Sequence, residues 1–246
     1  MTKFKIQSSS FRDPSGFLFF ENEVLYRQIN QEYKNEYEHL MDSGLYKRLV
    51  DSKLLIPHTE ADMISPNKEK LYKIIKPEPI PFISYPYEWC FSQLKNAAIT
   101  TLEIQKIAID YNMTLKDASS YNIQFRQGKP ILIDTLSFEK YQEGQTWKPY
   151  KQFCQHFLAP LALMSQKDIR LNQLFRIYID GIPLDLADKL LPSKKLYMFS
   201  LLSHIHLHAK SQKHYENKDI KIKTQKMPRN SFVGIIESLH SGIKKL

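Results

Sequence analysis

The chain has 246 residues, of which 42% are hydrophobic and 25% are charged, and this ordinary globular composition is enough for one large domain or two lobes. No apolar run reaches the roughly 18 residues that a membrane-spanning helix needs. The N-terminus, from Met1 to Ser8, lacks the continuous apolar stretch of a secretion signal. We therefore expect a cytoplasmic protein that does not enter a membrane.

The formal charge of +9 is distributed unevenly along the chain. Between Ile205 and Leu246 there are nine Lys or Arg residues and three acidic residues, so most of the excess lies near the C-terminus. The rest of the chain is nearly balanced, which does not favour a basic groove through the main body. The pattern predicts a solvated basic linker, with RNA or an acidic partner as the alternative, and nucleic acid is not the expected ligand.

The N-terminal part of the chain has the pattern of a β-hairpin. Residues Phe11 to Ile29 give two strands, Gly16 to Phe20 and Val24 to Ile29, on either side of the turn Glu21-Asn22-Glu23. Another turn, Asp13-Pro14-Ser15-Gly16, leads into the first strand. We expect this hairpin to begin a β-rich lobe.

Helical and extended patterns then alternate. Tyr33 to Ile56 have apolar residues at three- and four-residue steps, which predicts two amphipathic helices with a break near Ser43-Gly44. Pro57 to Lys70 is predicted to be a loop. Leu71 to Ile75 and Pro81 to Ser84 are predicted to be strands, because the prolines between them exclude a helix.

The aromatic segment Ser84 to Trp89 separates the β patterns from helical ones. Phe91 to Asp110 is the clearest predicted helix, and its narrow polar stripe indicates that most of its surface is buried. Strands first and helices afterwards predict an α+β fold with two lobes. The later predicted helices are Tyr150 to Met164, Arg170 to Asp180, Leu184 to Leu191, Lys195 to Lys210 and the amphipathic segment Ser231 to Leu246.

We assign five regions to the chain on this basis. They are a small N-lobe (1–84), a hinge (85–90), a helical C-lobe (91–210), a basic linker (211–230) and a C-terminal amphipathic helix (231–246). The stretch from about Gln212 to Asn230 should be the most mobile. The last helix should dock onto the body or, in a longer relative, continue into another domain.

The stretch that most clearly indicates chemistry contains Asp117, Asn122 and Asp134. Asp117 and Asn122 stand five positions apart, and Asp134 ends the second strand of a predicted hairpin, Ile123 to Phe125 with Ile131 to Ile133. Mg²⁺ prefers such carboxylate and amide oxygens when phosphates supply the remaining ligands. The alternative is a surface hairpin whose Asp and Asn residues only cap turns.

This D-x-x-x-x-N, hairpin, D layout resembles the catalytic loop and metal-binding strand of the protein-kinase-like phosphotransferases. The resemblance implies that Asp117 accepts the hydroxyl proton, and that Asn122 and Asp134 hold Mg²⁺ on ATP. Two departures stand out: Leu115 replaces the usual His, and Asp134 is followed by Thr135-Leu136 rather than Phe-Gly.

The same resemblance assigns a phosphate-binding cation to the N-lobe. Val24-Leu25-Tyr26-Arg27 takes the place of the kinase V-A-I-K strand, so Arg27 would bind the nucleotide phosphates, although Arg is not equivalent to Lys at a tight site. Glu36 or Glu38 on the following helix would pair with Arg27. An edge-strand arginine is the alternative for Arg27, and solvated glutamates on the helix surface are the expected interpretation for Glu36 and Glu38.

Two further parts of a nucleotide site follow from the resemblance. Gly16 alone would let the backbone approach the phosphates, where a kinase has three glycines. Tyr85 and Tyr87 would receive the adenine at the hinge, unless these aromatic residues simply pack in the core.

Cysteines and histidines give weaker indications of chemistry. Cys90 and Cys154 lie in apolar segments without CxxC spacing, so buried reduced thiols are predicted rather than a disulfide or a metal site. His204 and His208 in Ser-His-Ile-His-Leu-His would share one helix face, which binds zinc only if a third ligand arrives from elsewhere. Histidines on a helix surface are the expected interpretation.

A second resemblance covers the run from Ser10 to about Leu163, in SFRDPSGF, PFISYPYEW, LKDASSYNIQF, IDTLSFE and QFCQHFLAPLALM. It resembles the N-terminal region of bacterial proteins labelled class I S-adenosylmethionine-dependent methyltransferases, some of them nodulation-related. In those proteins a methyltransferase domain follows this region. The seven glycines of this chain are too widely spaced for a methyl-donor turn, so the resemblance implies a methyltransferase domain or partner beside this chain.

Three functions compete at this point. An ATP- and Mg²⁺-dependent phosphotransferase acting on a small-molecule or protein hydroxyl is favoured, because Asp117 occurs together with both metal-type residues. The alternative is a pseudokinase-like module that binds nucleotide and regulates a methyltransferase domain or partner. A methyltransferase in its own right is the least expected of the three.

Overall fold

The computed structural model of the protein describes residues 4–7, 10, 13–191, 204–205 and 226–246. An antiparallel five-stranded sheet and two short helices form the first lobe, and a mainly helical second lobe follows. The predicted α+β fold with two lobes is therefore confirmed.

The sheet of the first lobe has the order β1-β2-β3-β5-β4. The β2–β3 turn places Asn22 and Glu23 in the left-handed region (φ 48° and 65°), which matches the twist of a tight hairpin. The strands are β1 (Lys5–Ile6), β2 (Gly16–Glu21), β3 (Val24–Asn30), β4 (His58–Glu60) and β5 (Leu71–Pro77).

Gly16 is required by the packing of this hairpin. A Cβ atom at Gly16 would lie 2.0 Å from the carbonyl oxygen of Gln28 and 3.0 Å from a methyl carbon of Leu136, which belongs to the second lobe. The glycine therefore lets β2 approach both β3 and the second lobe.

We expect Gly16→Ala to destabilise the fold by about 1–3 kcal/mol, the usual cost of forcing extra volume into a packed site. Gly234→Ala is the matched control, because no atom lies within 4 Å of the added methyl group there. Since Gly234 is inside a helix, alanine should leave stability unchanged or raise it by about 0.5–1 kcal/mol. Urea denaturation of both variants measures the difference, and equal midpoints would contradict the packing role.

Two helices follow the first hairpin, α1 (Lys34–Asp42) and α2 (Leu45–Asp51), with Gly44 at the break (φ 85°). Tyr37 of α1 packs in the core beside the sheet, whereas Leu45 and Leu49 of α2 are buried in the main core with the second lobe. The small core between sheet and helices consists of buried Ile29, Tyr33, Tyr37, Ile75 and Leu136. Because Leu136 belongs to the second lobe, the two lobes share this core.

The second predicted helix was expected to reach Ile56, and this was wrong. Lys53 adopts a left-handed conformation (φ 58°), and the N–H groups of Lys53 and Leu54 bond back to the Val50 and Leu49 carbonyls, both at 2.9 Å. This is the Schellman ending of a helix. The chain then runs extended towards the strand Lys129–Leu132 of the second lobe.

Two further predictions about the first lobe were wrong. Pro57 to Lys70 contains β4, which pairs with the edge of β5 although its sequence is short and polar. Pro81 to Ser84 is not a strand, because its last residue is bound to a side chain rather than to a neighbouring strand.

The second lobe is built around α3 (Phe91–Asp110), whose predicted bounds and burial agree with the structure. The segment predicted as a helix from Arg170 to Asp180 is instead a 3₁₀ helix, Ile169–Arg176. The remaining elements are β6 (Met113–Leu115), β7 (Ile123–Arg126), β8 (Lys129–Leu132), β9 (Phe138–Lys140), α4 (Tyr150–Phe153), a π-helical turn (Cys154–Leu158), α5 (Ala159–Gln166), α6 (Leu184–Leu190) and a C-terminal helix (Arg229–Lys244).

The C-terminal helix docks onto α3, as its apolar face predicts. Arg229 donates to the Ile109 carbonyl at 2.7 Å, and Lys106 pairs with Glu237 at 3.3 Å. Most of the predicted helix Lys195 to Lys210 and of the linker 211–230 lies outside the described residues.

The predictions for the cysteines and histidines have mixed outcomes. Both cysteines are free thiols, but only Cys154 is buried, and Cys90 is exposed. His204 contacts Tyr150 and Ser238, while positions 206 and 208 lie outside the described residues. None of the helices in the described part of the chain combines the length and the apolarity needed to cross a bilayer.

Candidate functional site

Backbone pairing brings the two ends of the predicted motif together. The antiparallel pairs β6–β9 and β7–β8 enclose the loop that carries Asp117. Lys116 N–H donates to the Ser137 carbonyl and Ile133 N–H donates to the Asn122 carbonyl, both at 2.8 Å. The start of the hairpin and the turn after it therefore lie side by side.

Asn122 and Asp134 are joined by a serine hydroxyl. The Asn122 amide donates to Ser137 Oγ at 3.2 Å, and Ser137 Oγ donates to Asp134 Oδ2 at 2.6 Å. This chain of hydrogen bonds, Asn122–Ser137–Asp134, places an amide and a carboxylate in the second lobe where it meets the first. We call this boundary between the lobes the cleft. The side-chain oxygen Oδ1 of Asn122 accepts no hydrogen bond from the described residues, so it can face a ligand.

The Arg27 side chain reaches from the first lobe to this chain of hydrogen bonds. Its Nη1 donates to Asp134 Oδ1 at 2.5 Å, and its Nη2 donates to Asp13 Oδ2 at 3.0 Å. Its Nε is buried and has no hydrogen-bond partner among the described residues. The guanidinium thus holds the turn before β2 against the end of β8 and keeps one donor unused.

The predicted pairing of Arg27 with Glu36 or Glu38 was wrong. Glu36 accepts the backbone N–H of Lys140, and Glu38 accepts the Tyr72 hydroxyl. Both glutamates lie on α1 and bond to these other partners. Asp13 and Asp134 are the acids that pair with Arg27 instead.

Asp134 is ionised in this environment. Burial alone would raise the pKa of its carboxyl group, but the Arg27 guanidinium, the Ser137 hydroxyl and the Leu136 N–H hold the pKa below the ordinary value. The carboxylate is therefore available as a charged ligand at neutral pH.

A second cation, Lys116, lies on the same side of the cleft. Its ammonium group donates to Ser15 Oγ at 2.5 Å and lies 4.7 Å from the centre of the Tyr33 ring. It also approaches Asp13 Oδ1 at 4.0 Å. Lys116 and Arg27 thus balance the charges of Asp13 and Asp134 across the cleft.

Asp117, the predicted base, lies in a loop whose conformation is fixed by hydrogen bonds. Its Oδ1 accepts the Ser119 N–H at 2.8 Å, the local turn bond expected of an aspartate in such a loop. Gln152 of α4 accepts the Ala118 N–H at 2.8 Å. The remaining carboxylate oxygen of Asp117 is not used by these bonds.

His156, in the π-helical turn, supports the same loop. It is only 2% exposed, and its Nδ1 lies 3.0 Å from Ser120 Oγ and 3.4 Å from the Ser120 N–H. Burial lowers its pKa to about 4, although Asp117 and Asp180 act in the opposite direction. His156 is therefore neutral at pH 7 and accepts from the loop.

The hinge tyrosines form a stack rather than an open slot. The Tyr85 and Tyr87 rings are 5.4 Å apart and nearly parallel, and Tyr85 is 44% exposed. The Gln124 side chain accepts the Ser84 N–H at 3.0 Å and donates to its carbonyl at 2.9 Å. Since Glu88 accepts the Tyr85 N–H, these hinge groups are already satisfied and are not free to bond an adenine.

The residues present fit a magnesium ion that is held mainly by phosphates. Mg²⁺ commonly takes one or two carboxylates together with phosphate oxygens and waters. Asp134 supplies one carboxylate and Asn122 a carbonyl oxygen. Within the described ranges no three His, Cys, Asp or Glu side chains are grouped as a metal site.

Sequence patterns missed several residues of this site, namely Asp13, Lys116, Gln124, Ser137 and His156. Each acts through a contact with a residue far away in the chain, as in the Ser137 link to Asn122 fifteen positions earlier. Asp13 carried a usable signal, because an acid in a turn beside a predicted phosphate site is unusual.

No family model matches the chain. The chain is similar to a nodulation protein. It is 32% identical over 249 residues to "Nodulation protein NoeA" of Rhizobium meliloti (strain 1021), and the match covers 97% of this chain and 51% of that protein. The chain therefore spans about half the length of the curated relative it matches.

A solved structure of similar layout is "Structure of vaccinia related kinase 3", with a TM-score of 0.46 and 10% sequence identity. The match covers 99% of this chain and 89% of that one. In this chain itself, a five-stranded antiparallel sheet, an aromatic segment, a long buried helix and a loop-hairpin motif follow one another in the order predicted for a two-lobe α+β fold.

Proposed function

We propose that this chain is a kinase-like phosphotransferase that uses ATP and Mg²⁺ and acts on a hydroxyl group of a small molecule or a protein. The observation that supports it is the Asn122–Ser137–Asp134 chain, which lies against Arg27 with its unused Nε–H. A carboxylate, an amide oxygen and a guanidinium in one cleft are the groups that a metal-bound polyphosphate needs.

In this proposal each residue has one role. Asp117 accepts the proton of the acceptor hydroxyl, while Gln152 and His156 keep its loop in place. Arg27 binds phosphate oxygens through Nε. Asn122 and Asp134 would hold Mg²⁺, which when bound supplies charge neutralisation for the phosphates.

The nucleotide itself would lie between the lobes. Gly16 keeps the backbone of β2 close to the phosphates. The base would stack on Tyr85 and Tyr87, since the neighbouring backbone groups are already bonded.

A second candidate is a pseudokinase-like module that binds nucleotide and regulates a methyltransferase domain or partner. It is favoured by Asp13, which takes one of the two outer nitrogens of Arg27 and partly neutralises the cation that would bind phosphate. The length of the similar nodulation protein leaves room for a second domain beside this one.

Calorimetry with ATP and MgCl₂ tests the proposed site. We expect Asp134→Ala to abolish Mg²⁺-dependent ATP binding, because it removes the carboxylate that bonds both Arg27 and Ser137. Asn122→Ala should weaken binding less, since it deletes a neutral ligand. Asp134→Asn keeps the volume and one acceptor oxygen for Arg27 and the Leu136 N–H, although its amide nitrogen cannot accept the Ser137 hydroxyl, so it shows whether charge rather than volume is needed.

Asp168, which is half-buried and pairs with Arg170 at 2.6 Å away from the proposed site, provides the matched control. Asp168→Ala should bind as the wild type does. Failure of the wild type to bind ATP at millimolar concentration with Mg²⁺ would overturn both candidates.

A further inference from the structure

A separate cavity of about 410 Å³ lies between the end of α2 and the β7–β8 hairpin. Its apolar walls are Val50, Leu55, Pro57 and Ile131. None of the residues that line it belongs to the proposed nucleotide site. Its volume falls within the range of small-molecule sites.

The wall of this cavity is held by backbone bonds. Ile56 N–H donates to the Leu132 carbonyl at 2.8 Å, and Leu132 N–H donates to the Leu54 carbonyl at 2.9 Å. The extended segment after α2 is therefore fixed to β8, and the cavity is a preformed feature of the fold.

The rim of the cavity carries three cations, of which one is neutralised. Arg126 forms a two-pronged pair with Glu78 through both outer nitrogens. Lys53 and Lys129 have no ion-pair partner within the part of the chain that the structure describes. An apolar cavity whose lining includes two lysines without an ion-pair partner among the described residues suits an anion with an apolar body.

Lys53 stands at a backbone position that favours glycine. Its φ of 58° is the left-handed conformation of the Schellman ending, where glycine is the usual residue because it has no Cβ. A lysine there costs stability, and strained residues tend to occur where the side chain is used. The side chain of Lys53 lines the cavity.

We propose that this cavity binds a small amphipathic anion, with an apolar body between Val50, Leu55 and Ile131 and one carboxylate or phosphate group between Lys53 and Lys129. The shared chemistry is a singly headed organic anion, and a fatty carboxylate or a phosphate monoester would supply it. The proposal does not depend on nucleotide binding in the cleft.

Four probes with the same octyl body test it by NMR titration or calorimetry: octanoate, octyl phosphate, octanol and octylamine. We expect the two anions to bind about tenfold tighter than octanol, because two exposed ion pairs contribute modestly, and octylamine to bind weakest. The tighter of the two anions identifies the head group. Equal affinity for octanol and both anions, or no binding of any probe, would overturn the proposal.

A double variant separates binding from folding. Lys53→Gly with Lys129→Ala should remove the preference for anions, and Lys53→Gly alone should raise or preserve the melting temperature because it relieves the left-handed lysine. The exposed Lys151 provides the control, and Lys151→Ala should keep the preference. A double variant that still prefers anions would overturn the assignment of the two lysines.

Discussion

Asp117→Asn should leave ATP binding close to that of the wild type and lower phosphoryl transfer by about 10²- to 10⁴-fold. Asparagine retains an oxygen that can accept the Ser119 N–H, so the loop should keep its conformation. It loses the group that takes up the proton of the acceptor. ADP release with a panel of hydroxyl compounds measures turnover, and calorimetry measures binding.

The comparison of binding with turnover separates the two candidate functions. If the wild type binds ATP and Mg²⁺ but no acceptor gives turnover, the pseudokinase-like candidate stands and Asp117 has no catalytic role. If Asp117→Asn loses binding and turnover together, the residue supports the site rather than the chemistry. Ser119→Ala is a useful companion, because it removes a neighbour in the loop without changing the carboxylate.

Acidification from pH 6.5 to pH 4 should destabilise the fold by about 3 kcal/mol through His156 alone. Burial lowers the pKa of this histidine to about 4 in the folded state, whereas an unfolded histidine titrates near 6.5. The unfolded chain therefore takes up a proton in this window that the folded chain refuses. Stability is unaffected above pH 6.5 and falls as the pH drops towards 4.

His58 should add to this loss. It lies between Tyr37 and Tyr46, and burial lowers its pKa to about 4 as well, although Glu60 raises it. Asp134 acts in a different window: its pKa is depressed, so the stability that it contributes is lost only below about pH 4.

Urea unfolding between pH 7.5 and 4.5 measures the effect. His156→Gln should flatten the dependence on pH by roughly one proton, and the double change with His58→Gln should flatten it further. His39→Gln, at a partly exposed position of α1, serves as the control. A pH dependence that is the same in His156→Gln and in the wild type would contradict the assignment.

Local patterns predicted the elements whose stability comes from their own periodicity. The apolar surface of α3 and the alternation along β2 and β3 are written in consecutive residues, so their positions agree with the structure. The end of α2 at Lys53 could not be predicted, because the sequence places a lysine where glycine is usual. β4 was missed because an edge strand of three residues is specified by its neighbour β5 and not by its own composition.

The candidate site divides in the same way. The spacing of Asp117, Asn122 and Asp134 predicted that they act together, and the structure joins Asn122 to Asp134 through Ser137. The charge partners of Arg27 were predicted from position along the chain, and that failed because Asp13 reaches it through the turn before β2. Ion pairs of this kind depend on how the lobes meet, which no window of sequence contains.

The two ion pairs that Arg27 forms with Asp13 and Asp134 also have a kinetic consequence. A ligand that takes over an outer nitrogen of Arg27, rather than the unused Nε–H alone, has to break one of these pairs, so the rate at which the pair opens limits how fast such a ligand can bind. Asp13 is 30% exposed, and dissolved salt would loosen its hold on Arg27. The association rate of an anionic ligand would then rise with ionic strength at first, whereas attraction between freely accessible opposite charges weakens from the outset.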